Sequence, residues 1–426
     1  MSKAETKVIT LGCRLNAYES DVIAGHARDM ALRGAVVINT CAVTSEAVRQ
    51  SRQAVRKARK KNAQAQIIVT GCAAQIDPAA FAAMPEVDLV IGNSEKMLAG
   101  TFDPETLAAS EPILVNDIMA VTETAPQLIM GGNRLLEKSQ DRTRAFLQVQ
   151  NGCDHRCTFC IIPYGRGNAR SVPAGEVVSH VKNLVAQGFG EVVLTGVDLS
   201  SWGGDLPGQL PLGDLVRRIL KLVPDLKRLR LSSIDPAEVD DALFDALTTE
   251  PRMTPYLHLS LQAGDDMILK RMKRRHLRAD VLSLCARLKA ARPEITFGAD
   301  MIAGFPTEND AMFENGKSII ADAGIVWLHV FPYSPRKGTP AAQMPPVNGA
   351  VIKARAKALR REGARVKAAH LASRVGGVDT ALFEEGGIGR LPDFTRVKVD
   401  NPPKAGQFAK VKLTAHDGES VTGLLL

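Results

Sequence analysis

Cys153, Cys157 and Cys160 stand in the spacing CxxxCxxC, inside the loop Gly152-Cys153-Asp154-His155-Arg156-Cys157-Thr158-Phe159-Cys160. Iron–sulfur cubanes are normally held by four thiolates, one per iron, so three thiolates leave one iron open. In radical enzymes an open iron of this kind chelates the amino and carboxylate groups of S-adenosylmethionine before one-electron cleavage to a 5′-deoxyadenosyl radical. A zinc site made from the same cysteines and His155 is the competing reading, but structural zinc takes four protein ligands in paired CxxC-type spacing. Phe159, within the loop, reads as a shield for the cluster.

The chain has seven cysteines in 426 residues, too few and too uneven for a disulfide framework, so metal binding or catalysis is the better reading. Cys13, Cys41 and Cys72 each close a short apolar run, at 8–11, 36–39 and 67–70. Helical patterns at 17–32 and 45–61 alternate with these runs, which predicts a parallel α/β sheet. Right-handed crossovers bring the carboxyl ends of all three strands to one edge, where open α/β folds hold their ligands. Taken singly, each cysteine is an ordinary small core residue. Three at one sheet edge predict a second three-thiolate metal site. Cys285 lies in a helical stretch, 281–288, and is expected to be buried without function.

The elements that must position these groups follow the same alternation. A polar stretch at 122–144 reads as a connection, after which strands are expected at 146–150, 191–195, 229–232, 256–261, 296–301 and 327–331. Helical segments such as 176–187 lie between them, the latter closed by Gly188. Six β/α units predict a partial (β/α)6 barrel with its functional residues just beyond the strand ends. Gly196, Asp198, Ser232, Ser233, Gln262, Gly304 and Tyr333 occupy such places, and Asp300 precedes one. A basic helical stretch at 353–367 and short β-prone runs beyond Gly376-Gly377 complete the chain. The expected fold class is α/β, with an N-terminal parallel sheet domain over 1–125, a barrel over 140–370 and a small all-β module over 374–426.

The chain carries 54 Lys plus Arg against 46 Asp plus Glu, a net charge of +8. This is compatible with a polyanionic partner and equally with solubility alone. No apolar run approaches the roughly 18 residues of a membrane span, and the start MSKAETK lacks a signal-peptide core. A cytoplasmic protein with no membrane association is expected.

The segments LGCRLNAYESD (11–21), NTCAVTSEAVRQSR (39–52), TGCAAQ (70–75), GCDHRCTFCIIPYGRG (152–167), LTGVDLSSWG (194–203), LSSIDPAEV (231–239), HLSLQAGDDMILKRM (258–272), DMIAGFPTE (300–308) and FPYSPRKGTPAA (331–342) resemble the methylthiotransferases over nearly the whole chain. The resemblance implies two 4Fe–4S clusters, an auxiliary one on Cys13, Cys41 and Cys72 and a radical one on Cys153, Cys157 and Cys160. It also implies a C-terminal RNA-binding barrel of the TRAM type. Members use S-adenosylmethionine twice, once to methylate a sulfur at the auxiliary cluster and once to generate the radical that activates an unreactive carbon. NTCAVT followed by SRQ, Arg14 directly after the first cysteine, and CIIPYGRG followed by ARS resemble the branch acting on N6-threonylcarbamoyladenosine at position 37 of tRNA. The implied partners are tRNA and an electron donor such as flavodoxin or ferredoxin. The alternatives are the same chemistry on isopentenyladenosine tRNA or on a ribosomal-protein aspartate, or a non-catalytic iron–sulfur RNA-binding regulator.

Beside this resemblance, Gly196, Asp198, Ser232, Ser233, Gln262, Asp300 and Tyr333 are expected to contact S-adenosylmethionine. Tight turns, helix caps and packing are the plain readings of the same residues. Gly304 is expected to permit close approach of the backbone to a ligand. Arg49, Arg52, Arg56 and Arg59 recur at helical spacing. With the basic runs at 353–367 and 270–278 they suggest phosphate contacts, against the reading of solvated helix faces. Arg166 or Arg170 is expected to pair with the carboxylate of the threonylcarbamoyl group, since guanidinium forks suit carboxylates.

Overall fold

The computed structural model describes residues 5–124 and 143–426. Most of the expected connection at 122–144, namely 125–142, lies outside the described residues.

The first sheet has five parallel strands in chain order: Lys7–Thr10, Ala35–Thr40, Gln66–Gly71, Leu89–Ile91 and Ile113–Leu114. The last two, three and two residues long, were not expected from the sequence, because runs so short carry no periodicity. The second strand is buried at every position and the third at all but Gln66, as a parallel sheet covered on both faces requires. Helix Arg14–Asp29 begins one residue after Cys13, three residues earlier than expected. Helix Ser45–Lys61 starts where Thr44 accepts from the Ala47 N–H (3.1 Å), a side-chain cap that satisfies one of the free amides of the first turn.

Six parallel strands then form the open barrel. Arg144–Gln148, Glu191–Thr195 and Arg228–Leu231 make one sheet, while Ser233–Ile234, Tyr256–Gln262, Thr296–Ala303 and Ile325–Pro332 make the other. The third unit is broken at Ser232, which is why two sheets arise from six expected strands. Leu257, Leu259 and Leu261 enter the core under the helices, so by strand alternation Tyr256, His258, Ser260 and Gln262 face the barrel interior. Among the described residues no pairing joins Arg144–Gln148 to Ile325–Pro332, which leaves the barrel open at that side. Helix Arg14–Asp29 packs against Arg144–Gln148 beside this opening.

Helix Gly349–Arg374, longer than the expected 353–367, lies along strand Ile325–Pro332 and reaches the C-terminal unit. That unit is a closed five-stranded barrel of Val378–Phe383, Ile388–Arg390, Arg396–Val399, Phe408–His416 and Val421–Leu425. Its second strand was not expected. Cys285 is buried on helix Arg278–Ala291 within the main core. No helix among the described residues is long and apolar enough to cross a membrane.

Candidate two-cluster active site

The first three strands run in level register, Thr10 beside Asn39 and Asn39 beside Thr70, so the residues that follow them emerge together. Cys13 is exposed at the start of its helix, while Cys41 and Cys72 are buried. The glycines before Cys13 and Cys72 are required by this crowding. Gly12 has φ +96°, and a Cβ there would lie 2.7 Å from Cys41 Cβ; Gly71 has φ +94°, with a Cβ 2.4 Å from the Thr40 backbone.

Behind these thiols is a buried charge network that the sequence did not reveal. Arg166 Nε donates to Cys72 Sγ (3.0 Å), and its two terminal nitrogens donate to Asn16 Oδ1 (2.5 Å) and to both Glu19 oxygens, one of them at 3.0 Å. Lys96 Nζ donates to Glu19 (2.6 Å), Asn93 Oδ1 (2.6 Å) and Asn39 Oδ1 (3.3 Å). Glu19 and Lys96 are 0% exposed and Arg166 is 2% exposed. Two buried cations thus face one buried carboxylate, and the surplus positive charge is aimed at Cys72. A thiolate there, or a cluster bound to it, completes the balance. The expectation that Arg166 or Arg170 reads a substrate carboxylate does not survive this geometry. Arg166 is spent on Glu19, Asn16 and Cys72, and Arg170 donates to the carbonyls of Val121, Asn168 and Arg166.

Arg166 belongs to the short helix Ile162–Arg166, which follows Cys160. It therefore ties the CxxxCxxC loop to the other cysteine set. Asn93 Nδ2 also donates to Gly165 O (2.5 Å), and a Cβ on Gly165 would lie 3.3 Å from Cys72 O. Cys160 is close enough to Cys72 for its pKa to respond to that charge. The loop after the last barrel strand closes the other side: Ser334 Oγ accepts from the Ser45 N–H at 3.0 Å, just beyond Cys41. Both triads therefore face one space between the two sheets' carboxyl edges.

Burial pushes the Cys41 and Cys160 thiols up to about 11, and that of Cys153 upward as well. Iron binding here must displace protons. Among the described residues neither triad brings three ligand atoms within 4.8 Å of one another, whereas two thiolates on one zinc, at about 2.3 Å each, stand at most about 4.6 Å apart. His155 Nε2 lies 2.9 Å from Asp198 Oδ2, and this bond, against the opposing effect of burial, raises its pKa.

The barrel loops bring several of the expected cosubstrate residues to this space. Asp198 Oδ2 lies 3.7 Å from Cys153 Sγ, and the Asp198 N–H donates to Gln150 Oε1 (2.9 Å). Gly196 forms the turn over Gln150, where a Cβ would lie 2.9 Å from Oε1. The Ser232 and Tyr333 hydroxyls are buried with no described partner, and orphaned polar atoms of this kind call for a ligand or water. Tyr333 meets Phe305 edge to face at 5.7 Å, and Phe305 meets Phe159 at 6.4 Å, so aromatic rings wall the cluster loop. Gln262 is held at φ +67°, a backbone state costly for a non-glycine residue. Ser233 is half-buried opposite His258 in the next strand. Asp300 stands apart in the barrel interior, 3.1 Å from His258 Nε2 and 3.2 Å from His329 Nδ1. Gly304 admits Ile352 of the long helix, not a ligand: a Cβ would lie 2.5 Å from its Cγ1.

The basic run at 270–278 is partly neutralised by acids of other elements, while Lys270, Lys273 and Arg275 are exposed. Arg274 donates to Asp235 (2.8 Å) and Ser260 O (2.7 Å) and approaches Cys157 Sγ at 3.6 Å. Arg275 pairs with Glu238, Arg278 with Asp322, and Arg271 with the Thr307 carbonyl. On helix Ser45–Lys61, Arg59 pairs with Asp88 and Arg52 lies over Phe81, which leaves Arg56, Lys57, Lys60 and Lys61 exposed.

Asp235 orients Arg274 and carries a testable signature. Burial would raise its pKa, but the His276 hydrogen bond and the Arg274 charge outweigh it and hold the carboxyl at about 2, below its ordinary 3.8. A depressed folded-state value means stabilisation that is fully present above the unfolded value and lost as pH falls through the folded one, here on the order of 2 kcal/mol. Asp235→Asn is expected to lower the thermal midpoint at pH 7, with the gap from wild type closing between about pH 4 and pH 2. Circular-dichroism melts of both proteins across that range check this; a gap independent of pH would contradict it.

Residues 147–315 match the Radical SAM superfamily and residues 5–92 match the Uncharacterized protein family UPF0004. The threonylcarbamoyladenosine tRNA methylthiotransferase MtaB of Rickettsia prowazekii (strain Madrid E) is 50% identical over 407 residues, covering 96% of this chain and 94% of its own. The tRNA-2-methylthio-N(6)-dimethylallyladenosine synthase of Erythrobacter litoralis (strain HTCC2594) is 32% identical, covering 99% and 97%. Among solved structures, the radical S-adenosylmethionine methyltransferase TsrM from Kitasatospora setae, with cobalamin and a [4Fe-4S] cluster bound, shares the fold at a TM-score of 0.57 and 15% identity, covering 80% of this chain and 77% of that one. With paired cysteine triads, an open barrel and half its residues in common with such an enzyme over nearly its whole length, the chain belongs to the radical S-adenosylmethionine tRNA methylthiotransferases.

Proposed function

We propose that the protein adds a methylthio group to C2 of N6-threonylcarbamoyladenosine at position 37 of tRNA. The observation that carries this reading is the convergence of two three-thiol sets on one space, joined by Arg166. The 50% identity to the Rickettsia enzyme, against 32% to the dimethylallyl-directed one, favours the threonylcarbamoyl nucleoside over the isopentenyl one.

In this reading Cys153, Cys157 and Cys160 hold one 4Fe–4S cluster and Cys13, Cys41 and Cys72 hold the other. When bound, the first supplies an electron to S-adenosylmethionine at its open iron, and the second supplies the sulfur to be transferred. The chain's own residues fix the reactants. Arg166 holds charge against Cys72, and Arg274, oriented by Asp235, does the same for Cys157. Asp198 is placed to accept from the amino group of the cosubstrate, and the free hydroxyls of Ser232 and Tyr333 to bind its polar atoms. Gly196, Ser233 and Gln262 shape the same strand ends, and Asp300 sets the polarity of the interior behind them. Phe159 and Phe305 keep water from the cluster loop.

The three units are proposed to divide near 125–140 and 370–374. Arg56, Lys57, Lys60 and Lys61, with Lys353, Lys357 and Arg361 on the long helix, are exposed and are proposed to contact tRNA phosphates. An external reductant, of the flavodoxin or ferredoxin kind, would serve the first cluster. Mass spectrometry of tRNA nucleosides from cells with and without the protein tests the substrate. The 2-methylthio derivative of N6-threonylcarbamoyladenosine should disappear with the gene; loss of the isopentenyl derivative instead would contradict the reading.

A further inference from the structure

The opening of the barrel holds a cationic surplus that the cluster chemistry does not use. The Phe394 ring, in the loop between strands Ile388–Arg390 and Arg396–Val399 of the C-terminal barrel, has φ +76° and stacks on Tyr256 with centroids 5.2 Å apart. Around it stand the guanidinium carbons of Arg14 (5.6 Å from the ring centroid), Arg144 (5.3 Å), Arg230 (4.9 Å) and Arg390 (4.9 Å). Three of these cations have carboxylates: Arg144 and Arg390 share Glu384, at 2.7 and 3.1 Å, and Arg230 bonds Glu191 at 2.7 Å. Arg228, 3.6 Å from Glu191, competes for the same acid. Arg14 is half-buried and donates to no described acceptor. A partly desolvated guanidinium whose nearest acid, Glu191, is already bonded to Arg230 and shared with Arg228 is unfavourable, so this place asks for an anion.

Its position says which. Arg14 adjoins Cys13 in the chain, so an anion held by it belongs to a molecule whose reacting end lies at the sulfur-supplying triad. The carboxylate of S-adenosylmethionine is a poor candidate, because its place is the open iron beyond the carboxyl ends of the barrel strands. Tyr256, Arg144 and Glu191 instead begin their strands. The threonyl group of N6-threonylcarbamoyladenosine carries a carboxylate on a short polar arm, and the interior between the two ends is polar, with Tyr256, His258, Asp300 and His329 joined by hydrogen bonds of 3.0 to 3.2 Å. We propose that Arg14 binds the threonyl carboxylate of the substrate nucleoside, with the Phe394 ring under its guanidinium and the neighbouring arginines adding to the positive field there, and so sets the preference for a charged N6 substituent. This rests on the functional reading above.

The test compares two full-length tRNAs, one carrying N6-threonylcarbamoyladenosine and one in which the threonyl carboxyl is converted to the amide. The reconstituted wild-type enzyme should prefer the acid by about 10- to 100-fold in kcat/KM, the worth of a charge-assisted hydrogen bond. Arg14→Gln should bring that ratio close to one, and Arg14→Lys should retain part of it. A ratio unchanged in Arg14→Gln, including equal losses on both tRNAs as a structural or cosubstrate role would give, overturns the proposal, as does a wild type that does not discriminate. If iron content shows that Arg14→Gln fails to assemble, the ratio of Arg14→Lys against wild type decides. A wild type that modifies neither tRNA, but modifies an isopentenyladenosine tRNA, overturns the functional reading and the proposal with it.

Discussion

Cys13→Ala is expected to abolish methylthiolation while the enzyme still cleaves S-adenosylmethionine to 5′-deoxyadenosine, whereas Cys157→Ala should abolish both. The asymmetry follows from the separation of the two sets. The CxxxCxxC loop is held from the barrel side, by Arg274 and the Thr158 bonds to Met272 and Arg271, and its link to the N-terminal sheet runs through Arg166 and Cys72, not through Cys13. Cys13 is the clean choice within its set, since it is exposed and bonds only weakly to Asn16 at 3.8 Å. Removing Cys72 would also strand the Arg166 charge. Chromatography of 5′-deoxyadenosine and mass spectrometry of the tRNA nucleoside from the same reaction read both outcomes. Loss of 5′-deoxyadenosine in Cys13→Ala, with the loop cluster intact by spectroscopy, would contradict the division of labour.

Arg166→Met should be the most damaging single change outside the cysteines. It leaves Glu19 with Lys96 as its one cation and takes the nitrogen donors away from Asn16 Oδ1 and one Glu19 oxygen, and a buried acceptor left unsatisfied costs about 1–3 kcal/mol, more where it is charged. The N-terminal sheet and the barrel lose their shared anchor together with the charge facing Cys72. We expect a marked fall in the thermal midpoint and loss of about half the iron, from the auxiliary site. Arg166→Lys should rescue little, because one ammonium cannot reproduce a fork that reaches Cys72, Asn16 and Glu19 from three nitrogens. Full iron content with an unchanged midpoint would remove Arg166 from the account.

Arg166 also marks where sequence reasoning stops. The cysteines were legible because their spacing, and their repetition at strand ends, is local pattern combined with a topological rule. The same rule placed Asp198, Ser232 and Tyr333 beyond strand ends, where the structure has them. Partners of Arg166 lie 94 and 147 residues away in the chain, and no local pattern announces an ion pair that forms only when two domains dock. Composition and position alone make an arginine beside a cluster loop look like a substrate contact, whereas the charge of Arg166 is consumed inside the protein. The run at 270–278 was legible in part for a similar reason: Arg274, Arg275 and Arg278 pair with Asp235, Glu238 and Asp322 from other elements, while Lys270 and Lys273 are exposed as the composition suggests. Strands Leu89–Ile91 and Ile113–Leu114 were invisible because pairing with an existing sheet, not their own pattern, makes them strands. Arg14 drew notice only through resemblance, and its environment comes from Phe394, some 380 positions away in the sequence.

The central claim, that each cysteine triad holds its own cubane, is most directly tested by the iron and acid-labile sulfide content of the protein purified anaerobically. About eight irons and eight sulfides per chain are expected for two such clusters, falling to about four of each in the variant with alanine at positions 13, 41 and 72. About four in the wild type, or zinc in place of iron at either triad, would contradict it.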